Sequence, residues 1–377
     1  MAEEGAGRGP LSGVRVLDLT RFPPGAYCTV LLADLGAQVC RVDAPGANPM
    51  AGGVGVGLSR GKMSVGLDLR HPRGNEVLRR LAGWADVLVE NNRPGDMEKR
   101  GFGYPQAAAE HPRLIWCSIT GFGQDGPYAT RPGHDLTYTA HSGLLAAINP
   151  DLPWHPQSVL AVPLGAMMAA TGVTSALLER ERTGRGCQID ISLAEAATWL
   201  LSGSDGELAG SPWGIPVTPD RRLYECADGR FVTVAAAEPR TWAALCNGLG
   251  LGELAEARPS AEQAGDVTAR LAAVFASRPA AEWVDLLGPL GAAVGAVNRG
   301  PDVVRDPQVR ARGAVVEVAG IPVPANPIRL RDLNGPMSAT ATDPPPVVGG
   351  DTDLVLTAAG YTETEIGSLR SEGVVSD

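Results

Sequence analysis

Apolar residues follow two rhythms along the first third of the chain. VRVLDLT (residues 14 to 20) and AQVCRVDAP (37 to 45) are β-branched runs, and between them GAYCTVLLADLGA repeats its apolar residues at helical spacing. That order predicts a β-α-β unit. MSVGLDLR (63 to 70), ADVLVEN (85 to 91) and LIWCSITGFG (114 to 123) have the length and composition of strands, and NEVLRRLAGWA carries a helical stripe between two of them. The expectation for the first 130 residues is a parallel sheet wrapped by helices.

Beyond it, LGAMMAATGVTSALLERERTGRG is apolar almost all round before its charged end, which predicts a long buried helix stopped by Gly184 and Gly186. GCQIDISLAEAATWLL reads as a strand running into a helix. SGSDGELAGSPWGIPVTPD is rich in Gly, Ser and Pro and predicts a linker. After Arg222 the pattern changes. LYECADGRFVTVAAAE predicts a hairpin turning at Asp228-Gly229, followed by helices near 240 to 250, 261 to 276 and 279 to 288. A proline-rich return leads to a short helix in DLVLTAAGYTETEIGSL. The fold class is α/β, with residues 1 to 200 and about 325 to 377 forming a large domain, 201 to 222 a linker, and 223 to 320 a smaller α+β domain.

Composition narrows the function classes. Of 377 residues, 44% are hydrophobic and 20% charged, and 32 Lys plus Arg against 42 Asp plus Glu leave a net charge of -10. A nonspecific nucleic-acid binder is excluded on that balance, although a local basic patch could still hold a phosphorylated small molecule. Lys62 and Lys99 are the only lysines, so basic contacts are mostly arginine. The six cysteines show no C-x-x-C spacing, as expected of reduced core thiols and not of a metal site. MAEEGAGRGP lacks the basic start and apolar run of a signal peptide, and no run of about twenty apolar residues suggests a membrane span. A cytoplasmic location is expected.

Parallel sheets bind ligands at the carboxyl ends of their strands. TRFPPGAY follows the first strand but lacks G-x-G-x-x-G, so a dinucleotide fingerprint is missing. Cations recur after the other strands: Arg41, then Arg60 and Lys62 in SRGKMS, then Arg93, Lys99 and Arg100 in NNRPGDMEKRG. Singly each reads as surface charge. Together they suggest convergence on phosphates.

Five blocks, LSGVRVLDLTRFPPGAYCTVLLADLGAQVCRVDAPG, SRGKMSVGLDLR, VLVENNRPGDMEKRGFGY, ITGFGQDGPYATRPGHDLTY and LLERERTGRGCQIDISLAEA, resemble the class III CoA-transferase and α-methylacyl-CoA racemase superfamily, in its order, over residues 11 to about 245. The resemblance implies a large Rossmann-like domain completed by the C-terminal segment, a smaller domain, and an interlocked homodimer. It also implies an acyl-CoA ligand held by Arg41, by Ser59, Arg60 and Lys62 of the LSRGK turn, by Arg93 and Lys99, and by Gly133 and Tyr138 of the GHD block. The coenzyme A enters as part of the substrate, with no further cofactor and no metal.

Within the superfamily the transferase branch uses an aspartate nucleophile just before the long helix, where this chain has VLAVPLGAMM, and a glycine run where it has VAAAEPRTW. The racemase branch matches at Gly133-His134-Asp135 and Glu238-Pro239. That likeness implies His134 as a base at the substrate α-carbon with Glu238 hydrogen-bonded to it. The branch's second base, an aspartate, falls in the region of Ala161, Val162 and Pro163, where no carboxylate stands. Removing an α-proton on one face and returning it on the other needs two acid/base groups, or one and a water. Asp135, His141 and water are the candidates for the second donor.

Three readings follow. The first is a racemase-like isomerase of an acyl thioester, with His134, Asp135 and Glu238 as its catalytic set. The second is a relative performing another enolate step, dehydration or double-bond migration, on a CoA or acyl-carrier-protein thioester, or a CoA-transferase. The third is a non-catalytic acyl-CoA-binding protein. Trp199, Trp213, Trp242 and Trp283 read as core or packing residues, and His155 as a candidate for the pocket mouth.

Overall fold

In a parallel sheet covered on both faces, every strand must be apolar on both sides, and alternate residues must serve different cores. The computed structural model, which describes residues 9–48, 55–149, 153–203, 217–333, 335–338 and 340–377, shows this division. The chain runs β1 (Arg15–Asp18), α1 (Pro23–Asp34), β2 (Gln38–Asp43), α2 (Val56–Ser59), β3 (Met63–Leu67), α3 (Gly74–Trp84), β4 (Val87–Glu90), α4 (Asp96–Lys99), α5 (Tyr104–Glu110), β5 (Ile115–Thr120), α6 (Asp135–His141), α7 (Leu144–Ile148), α8 (Ala161–Thr183), β6 (Gln188–Ser192) and α9 (Leu193–Trp199). Val16, Val87, Val89, Ile115 and Cys117 pack on one face with α1, α8 and α9. Leu17, Cys40, Leu88 and Trp116 pack on the other with α3 and α5.

The strand order is β14 (Val375–Ser376), β3, β2, β1, β4, β5 and β6, and β1 to β6 are parallel. Successive strands run outward from β1 in both directions, so the order reverses between β1 and β4. That switch point opens a crevice at the strands' carboxyl ends.

α1 begins at the consecutive prolines 23 and 24, whose fixed φ suits a first helical turn. Gly25 is required there because a Cβ would lie 2.1 Å from the Thr20 side chain. α8 lays Ala161, Gly165, Ala166, Ala169 and Val173 into the core, and Gly184 closes it at φ 72. It is not buried all round. Met167 is 47% and Leu178 67% exposed, so one side of this apolar helix lies uncovered.

The chain divides into two compact units, Met1–Pro212 with Ala311–Asp377, and Trp213–Arg310. Most of the linker expected at 201 to 222, with Trp213, lies outside the described residues. The second unit has the expected hairpin, β7 (Arg221–Glu225) with β8 (Phe231–Ala235), plus a third strand β9 (Val294–Ala296) that is too short to show a period. Its helices α10 (Pro239–Gly248), α11 (Ala264–Phe275) and α12 (Ala280–Leu287) enclose Tyr224, Phe275, Trp242 and Trp283.

After α13 (Gly300–Arg305) and α14 (Pro307–Ala311), two small ribbons follow: β10 (Val315–Val318) with β11 (Ile321–Pro324), and β12 (Arg331–Asp332) with β13 (Gly335–Pro336). The single C-terminal helix of the sequence reading is two, α15 (Thr352–Ala358) and α16 (Glu363–Ser371). Gly360 at φ 86 breaks it, and the Thr362–Glu365 capping box starts the next. The final strand β14 (Val375–Ser376) pairs antiparallel with β3 at Val375 and Leu67.

Candidate active site

A cavity of about 440 Å³ lies at the carboxyl ends of β1, β2 and β3. Asp18, Thr20, Phe22, Arg41, Asp43, Asn92 and Met97 line it, and Arg21, Arg70 and Arg100 stand at its rim. Arg41 is 5% exposed. It is held by Asp43 at 2.9 Å and by the Ser59 hydroxyl at 3.4 Å, while Asp43 also accepts from Ser64 at 2.6 Å. The cavity thus has one fixed guanidinium in its wall and three exposed ones around it, an arrangement suited to a polyphosphate.

The residues expected at phosphates are placed differently from that expectation. Lys62 has no exposed side-chain surface and sits 3.3 Å from the Asp18 carboxylate. It also donates to Thr29 at 2.7 Å and to the Ala26 carbonyl at 3.4 Å. Burial works to raise the Asp18 pKa, but the Lys62 charge and hydrogen bonds from Thr20 and Thr29 outweigh it and hold the carboxyl below its ordinary value. Arg60, two residues earlier, is likewise internal: it pairs with Asp34 at 2.6 Å and donates to the Gly57 carbonyl. Ser59 is fully buried and serves Arg41. The SRGK turn is therefore an internal clamp joining β3 to β1 and α1. Its cations have no free donor geometry toward solvent, because α1 and β1 supply the carboxylates that a sequence cannot show lying opposite.

Arg93 and Lys99 do not line the large cavity either. Arg93 borders a small crevice with Glu90, Glu98 and Gln124, and Lys99 is an exposed partner of Asp96 at 3.3 Å. Arg21 and Arg70, which the sequence reading passed over, take the rim. Their signal was position: each lies three residues after the end of a strand, β1 and β3 respectively.

His134 is the exposed residue that starts α6, with extended backbone at φ -129 and ψ 176. Its carbonyl accepts from Thr137 and Tyr138 at 2.8 and 3.2 Å, while the imidazole makes no capping bond and stays open. Tyr138 lies beneath the turn, its hydroxyl donating to the Gly133 carbonyl at 2.6 Å. A Cβ on Gly133 would stand 2.6 Å from that ring, and one on Gly121 2.3 Å. Both glycines let the aromatic ring reach the backbone. Gly133 and Tyr138, expected as ligand contacts, thus support the turn that carries His134; burial and the nearby Asp135 carboxylate raise the Tyr138 pKa and keep it a donor.

Asp135 faces the start of α8. Its Oδ1 accepts from the Val162 amide at 2.8 Å, and its Oδ2 from the Leu160 amide at 2.9 Å and Thr139 at 3.3 Å. Both its oxygens are engaged, so it caps the start of α8, where Ala161, Val162 and Pro163 carry no carboxylate. His141, seven residues after His134, is about 10 Å farther along α6 and packs against Phe122 and Tyr128 at ring separations of 5.3 and 5.4 Å.

Glu238 lies in the second unit, exposed at the start of α10, with the Thr241 hydroxyl 3.0 Å from its Oε2. His155 is exposed, its Nδ1 3.2 Å from the Pro156 carbonyl. Trp242 and Trp283 are core residues, but Trp199, at the end of α9, is 61% exposed. All six cysteines are free; Cys187 is exposed and the others are buried, as core thiols should be.

A parallel sheet with a cation-rimmed cavity over β1 to β3 and an open histidine beyond β5 defines an α/β protein with a small-molecule cavity at the carboxyl ends of its strands. A family model described as CoA-transferase family III matches residues 11–352, and the chain belongs to that family. Human alpha-methylacyl-CoA racemase is 35% identical over 378 residues, 97% of each chain. Human succinyl-CoA:glutarate CoA-transferase is 30% identical over 400 residues, covering 97% of this chain and 90% of its own. The crystal structure of a CAIB/BAIF family protein from Brucella suis superposes with a TM-score of 0.83 at 28% identity, over 93% of this chain and 100% of the other. The family is thereby fixed as one of enzymes, and both racemase and CoA-transferase chemistry stand among the relatives.

Proposed function

We propose that the protein is a racemase-like isomerase that enolises the α-carbon of an acyl-CoA thioester, with His134 as the base. The observation that carries this reading is the pairing of an open imidazole at the start of α6 with a carboxylate-free start of α8. A CoA-transferase of this family would need a carboxylate nucleophile there, and Ala161, Val162 and Pro163 offer none. Asp135, the nearest acid in sequence, is bound to the α8 amides.

The nucleotide of CoA fits the cavity over β1 to β3, with Arg41 in the wall and Arg21, Arg70 and Arg100 at the rim. From β2 to β5 is three strand spacings, about 14 Å, which an extended pantetheine arm spans to bring the thioester to His134. The imidazole takes the α-proton, the C–H electron pair moves into the thioester carbonyl, and the resulting enolate oxygen faces the first amides of α6, which have no acceptor within the helix. Reprotonation returns the proton from the imidazolium to the same face, or from water to the other. A homodimer is proposed to cover the apolar side of α8 that carries Met167 and Leu178. The test is incubation of a 2-methylacyl-CoA in deuterated water. We expect α-deuteration that is lost in His134→Ala. Transfer of CoA to a free carboxylic acid without α-exchange would overturn the proposal.

A further inference from the structure

We propose that a second cavity, at the far end of α1 from the acyl-CoA cavity, is a binding site for a small polyanion carrying phosphate or several carboxylates. The cavity measures about 370 Å³ and is lined by Asp34, Arg312, Gly313, Asn326, Arg329, Arg331, Ser338 and Thr340, among others. That volume lies at the lower end of the roughly 300–1,000 Å³ of small-molecule sites and exceeds what a single ion needs.

Its chemistry is one-sided. Three guanidinium groups line it, and among the described residues none of Arg312, Arg329 and Arg331 forms an ion pair with a carboxylate. Arg329 donates to the Arg312 carbonyl, which ties two of them together. Asp34 is the one acid among the lining residues, and both its oxygens are engaged, one by Arg60 at 2.6 Å and the other by the Ala341 amide at 2.9 Å. Asn326 supplies the independent sign of a ligand. It is 7% exposed, its Oδ1 accepts from the Ile328 amide at 2.9 Å, and its Nδ2 is buried without a partner. The accepted bond fixes the amide orientation, so a donor is presented to a cavity already rich in donors. A buried donor left unmet is costly, and an oxyanion among the three arginines meets it.

The two cavities do not merge. Phe22 and Ala26 at the start of α1 line the first, and Asp34 at its end lines the second, about 18 Å from Phe22 and about 12 Å from Ala26 along the helix.

The experiment is calorimetric titration of the full chain with inorganic phosphate and, separately, with citrate, each in saturating free CoA so that the first cavity is occupied. One saturable site is expected for at least one anion, weakened at least tenfold by Arg331→Gln and abolished by Asn326→Asp, which keeps the Oδ1 acceptor and replaces the donor. Phosphate alone binding assigns a phosphoryl ligand, and citrate alone a polycarboxylate. Absence of saturable binding for both, or binding unchanged in the two variants, overturns the proposal. Should Asn326→Asp not fold, the exposed Arg331→Gln decides. A chain that fails to bind CoA yet binds the anion with this variant pattern would count against the proposed function and leave this site standing.

Discussion

Two glycine-flanked basic stretches, SRGK at 59 to 62 and RPGHD at 131 to 135, look alike as sequence and are opposite as structure. In the first, Arg60 and Lys62 turn inward to carboxylates on α1 and β1. In the second, the acid turns inward, to the α8 amides, and leaves the histidine outside. What separates them is the neighbour across the fold. A cation opposite a buried aspartate becomes structure, whereas a base whose adjacent acid is already committed elsewhere stays available for chemistry.

The comparison breaks most plainly at His134. His134→Ala removes the proposed base without disturbing a side-chain hydrogen bond of the turn, so α-proton exchange should fall by about 10²–10⁴ while the melting temperature holds. A variant that melts early, or exchanges normally, would place His134 with the structural stretch.

Lys62→Met should do the reverse. It leaves the Asp18 charge buried and unpaired, which costs about 3–5 kcal/mol, read by denaturant unfolding. The pH dependence sharpens this. Asp18 has a folded pKa below its unfolded value of about 3.9, so its contribution is fully present above pH ~4 and is lost as pH falls through the lower folded value. Asp18→Asn should therefore flatten the acid limb of the stability profile below pH ~4, and an unchanged limb would show that the pair is not the clamp.

A smaller effect separates the true rim of the cavity from its sequence surrogate. Arg70→Ala should raise the KM for acyl-CoA about threefold to fivefold at low ionic strength, an effect that salt erodes because the group is exposed. Lys99→Ala, three residues from its own acid Asp96, should leave KM alone. Equal effects would mean that the cavity rim is drawn wrongly.

The alternating strands and α1, α3 and α8 were legible because apolar period and length decide them locally. Gly133-His134-Asp135 was legible as a block, but the partners of each side chain were not: nothing in the string says that Asp135 meets Leu160 and Val162 or that Lys62 meets Asp18, forty-four residues away. The same blindness hid β14, whose two residues acquire strand geometry only by pairing with β3, and placed α8 wholly inside when its apolar composition is shared between a core side and an uncovered one.

Tyr138 tests the finest part of the contrast, because its hydroxyl links the helix to the backbone just before His134. Tyr138→Phe keeps the ring that Gly121 and Gly133 accommodate and deletes one hydrogen bond, leaving the Gly133 carbonyl without that donor. The stability cost should be about 0.5–1.5 kcal/mol. If the turn merely needs packing, kcat and KM stay as they are. If the hydrogen bond holds the imidazole in line with the α-carbon, kcat falls about threefold with KM unchanged, since the cavity proposed for the nucleotide does not include Tyr138 among its lining residues. A rise in KM with constant kcat would instead make Tyr138 a ligand contact and return it to the role the resemblance implied.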